Sequence, residues 1–198
     1  MASFEIKDGV AIIPEGTNKI PSRAFEDCSS LISVVIPESV KSIGVHAFFR
    51  CTLMTSVFIP KSVTRIAEAA FAACTSLKSI VVEEGNPIYD SRDNCNAIIE
   101  TATNTLIQGC CSLTEVTIPD SVQSIGNGAF SGCYSLTSVV ISESVKSIGG
   151  SAFRYCISLT SISFQGTIAQ RKEIELGDNW NKEILAKVVH CTDGDVEI

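Results

Sequence analysis

The chain holds one tryptophan, two methionines and two histidines in 198 residues. A single Trp is too few for the aromatic platforms of a typical carbohydrate binder, and His46 and His190 are the only imidazoles on offer for acid–base or metal chemistry. Basic residues are scarce as well: 15 Lys and Arg stand against 22 Asp and Glu, a formal net charge of -7. That balance argues against nucleic acid as a partner and against anionic membrane surfaces. No run of about 18 apolar residues occurs, so no membrane-inserting helix is expected. Asn-x-Ser/Thr sequons, G-x-S-x-G, the P-loop, the dinucleotide fingerprint and C-x-x-C pairs are all missing. The first eight residues lack the basic-then-apolar pattern of a leader. What the chain has is apolar material, 45% hydrophobic against 19% charged, which supports a packed core and excludes disorder.

That material is periodic. Cys28, Cys51 and Cys74 are 23 residues apart, and Cys110, Cys133 and Cys156 repeat the step. Phe25, Phe48 and Phe71, then Phe130 and Phe153, share the period of 23, as do Ala24, Ala47 and Ala70, then Ala129 and Ala152. Within one unit, Leu113, Val116 and Ile118 end in strand-like alternation, Val122 and Ile125 form a second short extended group, and Ala129, Phe130 and Cys133 are spaced for one helical turn. Pro119 follows the first strand, where a missing N–H does no harm. Such a unit cannot bury its apolar face alone. Stacked on its neighbours it can, which predicts a solenoid.

The unit Leu136-Thr-Ser-Val-Val-Ile-Ser-Glu-Ser-Val-Lys-Ser-Ile-Gly-Gly-Ser-Ala-Phe-Arg-Tyr-Cys156 resembles that of the BspA-like leucine-rich-repeat family, with Ser142 where the pattern has Pro. The resemblance covers nearly the whole chain. It implies an α/β, mostly β leucine-rich-repeat solenoid, a right-handed curved array of about six to seven 23-residue repeats. It also implies adhesion or protein binding at a bacterial cell surface, or secretion. The absence of a leader pattern keeps the cytoplasm as the alternative.

We read one domain over residues 1–198: an N-terminal cap and degenerate repeat at 1–30, repeats over 31–163 with an insertion at 83–109, and a C-terminal cap at 164–198. In the insertion, Ala97–Glu100 and Thr105–Gln108 flank a short loop and read as a hairpin. In the cap, residues 168–176 read as an amphipathic helix, and Arg171 stands where the family commonly has Trp. A cap is expected because a bare end would expose core and strand edge.

Six of the nine cysteines keep one register. They are expected to be buried thiols acting as small hydrophobes. Disulfides along the ladder are the alternative, since stacked coils lie about 5 Å apart. Cys95, Cys111 and Cys191 fall off register, and Cys111, beside Cys110 in a presumed turn, is expected to face outward. His46 shares its slot with Arg23, Ala69, Gly128 and Ser151, so it is read as a surface residue. A His190–Cys191 dyad, a calcium patch at Asp90, Asp93, Asn94 and Asn96, and acid–base pairs among Glu173, Glu175, Asp178 and Glu183 are weighed against turn formation and solvated surface, which explain the same residues. No enzyme activity, cofactor or metal is expected.

Strand alternation turns Val34 and Ile36 inward and Ser33 and Val35 outward. Carrying the register forward gives an outward column of Val35, Phe58, Val81, Thr117, Val140 and Ser163, beside Ser33, Ser56, Ser79, Glu115, Ser138 and Ser161. The candidate partner-binding residues are Val35, Phe58, Val81, Glu115, Thr117 and Val140, with Phe58 as anchor for an unidentified protein or peptide. The rival is a structural spacer domain with no ligand of its own.

Overall fold

The computed structural model describes residues 4–92 and 95–198. The chain winds into a mostly β solenoid of about eight turns. Each coil follows the repeat. The apolar–polar alternation of its first segment forms a strand that lies parallel and in register with the strand 23 residues on, as Ser56–Ile59 does with Ser79–Val82 and Ser138–Ile141 with Ser161–Phe164. The second extended group forms a parallel column of two-residue strands, from Lys19–Ile20 through Ser42–Ile43 to Arg65–Ile66, resumed by Ser124–Ile125 and Ser147–Ile148.

The third segment departs from expectation. It is a tight turn rather than a helical one, tied by Ala47 N–H to Gly44 O at 3.2 Å and Phe49 N–H to His46 O at 3.1 Å. His46 and Arg50 have φ of 55° and 57°, and the same left-handed residues recur at Arg23, Asp27, Ala69, Ala73, Ser151 and Tyr155. A left-handed residue at each end stops helix propagation, so the three-to-four spacing buries one residue cluster per coil without a helix. Among the described residues the single α-helix is Ile168–Lys172 in the C-terminal cap.

The turn phenylalanines form the spine of the core. Phe25, Phe48 and Phe71 stack at 5.1 Å between centroids, with Phe4 capping the stack at 5.3 Å. Phe130 and Phe153 stack at 5.2 Å, and Trp180 closes that end edge-on at 6.3 Å. Each fully buried ring contributes about 1.5–3 kcal/mol of transfer free energy, and stacking adds about 0.5–1.5 kcal/mol.

The two stacks do not join, because the insertion comes between them. Its hairpin forms as expected, Ala97–Glu100 against Thr105–Gly109, with Tyr89–Asp90 added on the outer side. Thr105 and Leu106 then pair with Ser124 and Ile125, so the insertion supplies one layer of the two-residue column. Gly109 takes the phenylalanine slot: its N–H bonds Ala129 O at 2.9 Å, as Phe130 N–H bonds Ala152 O at 2.8 Å. A Cβ on Gly109 would lie 2.1 Å from a ring carbon of Phe130. Asn86 locks the entry to the insertion. Its amide donates to Pro60 O and Val63 O at 3.0 Å, and its carbonyl oxygen accepts from the Ile88 and Tyr89 N–H groups at 2.9 Å.

Both ends are capped by antiparallel hairpins, Glu5–Lys7 with Val10–Ile12 and Val188–Cys191 with Gly194–Glu197. Helix Ile168–Lys172 is shorter than the 168–176 reading, and Glu175–Leu176 instead extends the two-residue column. Arg171 is buried in that cap with its guanidinium 5.6 Å from the centre of the Trp180 ring, so a cation–π contact fills the place of the family's tryptophan. Burial pushes its pKa down. Ser142, the residue in the proline slot, donates its hydroxyl to Asp120 at 2.7 Å.

Candidate functional site

The strand face carries the outward column. Val35 is 67% exposed, Phe58 50% and Val81 45%, whereas their inward neighbours Val34, Val57 and Ile80 are buried. Phe58 sits directly beside Val81 in the ladder. Thr117, Val140 and Ser163 are likewise consecutive partners, and Glu115 flanks them beside Ser138. Glu115 and Thr117 are exposed and Val140 is half-buried. Ile12 pairs with Val35 and is 46% exposed, which extends the apolar stripe one coil further. The column traced above begins at Val35, although Ile12-Ile13-Pro14 matches Val35-Ile36-Pro37 at the repeat distance of 23.

The six residues do not form one continuous strip. Ser79–Val82 ends one sheet and Glu115–Thr117 begins another, with the insertion between them. The structure therefore brings Ile12, Val35, Phe58 and Val81 together on one half and Glu115, Thr117 and Val140 on the other. At the break, the strand Glu115–Thr117, which is the edge of its sheet among the described residues, borders a cleft of about 640 Å³ lined by Cys95, Asn96, Leu113, Asp120 and Gln165.

The cysteines need two corrections. Cys111 is fully buried rather than outward, and it forms a disulfide with Cys133, so one ladder cysteine is not a thiol. The insertion shifts the register by one residue at that point: Cys110 packs into the N-terminal half of the core and Cys111 into the C-terminal half, where it meets Cys133. The other thiols also do more than fill space. Cys51 donates to Phe25 O at 3.1 Å, Cys74 to Phe48 O at 3.0 Å and Cys156 to Phe130 O at 3.1 Å, each adding a second donor to a carbonyl of the preceding coil that also accepts a backbone N–H. Burial pushes the Cys110 and Cys156 thiols up to about 12. Cys74 is also raised, first by its side-chain hydrogen bond with Cys51 and then by burial.

His190 does not face Cys191 in a dyad. Its Nδ1 lies 2.8 Å from Asp195 Oδ1 across the terminal hairpin, while Cys191 packs against the core. Asp90 is engaged by Arg92, with its Oδ1 and Oδ2 each 2.9 Å from Nε. Asp93 and Asn94 of the calcium patch lie outside the described residues. Glu173, Glu175, Asp178 and Glu183 are exposed. His46 is half-buried, its ring 4.8 Å from that of Phe49, rather than at the open surface. Among the described residues no group of three His, Cys, Asp or Glu side chains could hold a metal, and no helix is long and apolar enough to cross a membrane.

A stacked 23-residue coil with this insertion and these caps defines a leucine-rich-repeat solenoid. The model of the BspA type leucine rich repeat region matches residues 10–96 and 100–176 in six copies, and the chain belongs to that family. A comparison with curated proteins found no significant match. Among solved structures, the pneumococcal vaccine antigen PcpA is similar at 20% identity over 87% of this chain and 50% of its own, with a TM-score of 0.66. A leucine-rich repeat protein from Bacteroides ovatus is similar at 25% identity over 91% of this chain and 48% of its own, with a TM-score of 0.53. The T. pallidum leucine rich repeat protein is similar at 27% identity, 85% and 73% coverage and a TM-score of 0.51. The chain thus spans about half the length of the first two.

Proposed function

We propose that the chain is a non-enzymatic protein-binding module of a bacterial surface protein, and that it engages its partner through the strand face. The observation that carries this reading is the run of Ile12, Val35, Phe58 and Val81, large apolar side chains left exposed in two ladder pairs, Ile12 with Val35 and Phe58 with Val81, on neighbouring sheets of successive coils. A strand face needs alternation, which serine at every outward position would satisfy as well. An exposed aromatic flanked by branched apolar residues is the composition of an interface centre. The hydroxyls of Ser33, Ser56 and Ser79 beside it supply a polar rim. The disulfide between Cys111 and Cys133 supports an extracytoplasmic location.

The test is quantitative binding of the full chain to a panel of extracellular proteins, with Phe58→Ala beside the native sequence. Loss of about 2 kcal/mol or more of binding free energy, with unchanged urea unfolding, is the expected result. Absence of any saturable partner favours the spacer reading, and equal affinity of Phe58→Ala removes Phe58 as the anchor.

A further inference from the structure

The insertion has a consequence on the other side of the coil. At the base of the turns it supplies a layer, since Gly109 stands between the stacked turns. At the tips it supplies none. Arg50 N–H bonds Ala72 O one coil on, and Gly132 N–H bonds Arg154 O one coil on, but Ala73 N–H bonds Ser131 O directly across the insertion at 3.1 Å. With fewer layers at the tips than at the base, the turn face folds inward there. The result is a cleft of about 550 Å³, of the size that takes a small ligand.

Its lining follows the repeat slots. The two coils that touch carry small residues in all three tip slots: Ala69 and Gly128, Ala72 and Ser131, Ala73 and Gly132. Contact requires this, for a Cβ on Gly132 would lie 2.7 Å from that of Ala73. The two flanking coils carry large residues in five of their six slots: His46, Phe49 and Arg50 on one side, Arg154 and Tyr155 on the other, with Ser151 the exception. Small residues make a floor, and large ones make two walls.

Each wall presents a guanidinium on an aromatic ring, Arg50 at 5.8 Å from the Phe49 centroid and Arg154 at 4.6 Å from that of Tyr155. Arg50 shares its charge with Asp27 at 3.4 Å. Arg154 makes no salt bridge among the described residues; it donates to the Tyr155 hydroxyl at 2.8 Å, and its Nε is buried without an acceptor. Nδ1 of His46 is also buried without a partner. In a chain of net charge -7, a half-enclosed arginine without a counterion is out of keeping with its surroundings. Glu68 on the rim offsets part of the positive charge, which suits one carboxylate better than a phosphate dianion. Exposed Tyr134 and Ile157 offer apolar contact beside it.

We propose that this cleft is a second binding site, distinct from the strand face, which takes a single carboxylate carried on an apolar or aromatic body. Arg154 receives the carboxylate through its planar fork of donors, and Tyr134, Tyr155 and Phe49 hold the body. Such a carboxylate comes either from the free end of a peptide or from a small organic acid.

The experiment is a titration of the full ¹⁵N-labelled chain, followed by amide shifts, with N-acetyl-Leu-Phe as the free acid, its C-terminal amide, and 3-phenylpropionate. At least one acid is expected to move the amides of residues 128–132 and 151–155, and the amide form to bind about tenfold more weakly or not at all. Preference for the dipeptide acid identifies a peptide end, and preference for 3-phenylpropionate a small free acid. Arg154→Gln is expected to weaken the acid about tenfold. Ser131→Phe, which fills the floor without touching Arg154, is expected to abolish binding, and Phe58→Ala to leave it unchanged. Silence with both acids, equal binding of acid and amide, or full binding by Ser131→Phe overturns the proposal.

Discussion

Gly109→Ala is the sharpest test of how the insertion is fitted into the solenoid. The added methyl would sit 2.1 Å from one Phe130 ring carbon and 2.7 Å from two others. Gly109 is buried, and its backbone is outside the left-handed region, so the conflict is steric alone. Phe130 is itself 1% exposed and stacked on Phe153 with 1° between the planes. It has no free direction in which to turn. Overpacking of this kind costs about 1–3 kcal/mol, and losing the stack about 0.5–1.5 kcal/mol more, so we expect about 2–4 kcal/mol of destabilisation in urea unfolding. Phe130→Ala alone should cost about 3–5 kcal/mol. In that background the added methyl enters the vacated space, and Gly109→Ala should be neutral or stabilise by about 0.4–1 kcal/mol. The double-mutant cycle should therefore show coupling of about 2 kcal/mol or more. Gly109→Ala with native stability, or a penalty that persists unchanged without the Phe130 ring, refutes the placement of Gly109 in the phenylalanine slot.

Asn86→Ala should cost about 2–4 kcal/mol in the same assay, because it leaves the buried Val63 carbonyl and the Ile88 and Tyr89 N–H groups without their partner, while Pro60 O keeps the Val63 N–H. A loss under about 0.5 kcal/mol would show that the insertion is not locked there. Stability should also fall between pH 9 and 12. The unfolded thiols titrate near 9 while native Cys110 and Cys156 hold their protons to about 12, so the native state binds more protons over that window. Below pH 9 this contribution is fully present, and above it each thiol removes up to about 1.4 kcal/mol per pH unit. Cys156→Ala should cost about 0.5–1.5 kcal/mol at pH 7 by removing one of the two donors to the Phe130 carbonyl, which keeps the Cys133 N–H, and should then lose stability less steeply above pH 9. An unchanged alkaline slope would show that Cys156 is not a buried thiol.

Most of the architecture was legible because a solenoid writes each contact many times. Phe25, Phe48 and Phe71 stack because one slot in each coil sits above the same slot in the next, and a spacing of 23 states that directly. The hairpin of the insertion was legible for a local reason, two alternating segments around a polar loop. What escaped was what depends on the single irregular layer. The register shift that buries both Cys110 and Cys111 follows from how 83–109 packs, and no repeat reports it. The division of the outward column between Val81 and Thr117 has the same origin. The turn conformation escaped because residues 129, 130 and 133 have the same spacing in a helical turn as in a turn bounded by left-handed residues. A signal for that was present, since Gly128 and Gly132 bracket the turn in one repeat. For the stripe, alternation reported which residues face outward but not what faces them.

The central claim is that a partner sits on the strand face. Hydrogen exchange of the full chain with and without a protein that binds it saturably tests this directly. Slowed exchange is predicted in Ser33–Val35, Ser56–Ile59 and Ser79–Val82 on binding, with the turn tips at 69–73 and 128–132 unchanged. Protection confined to the turn tips or to the terminal hairpins, with those three strands unaffected, would contradict it.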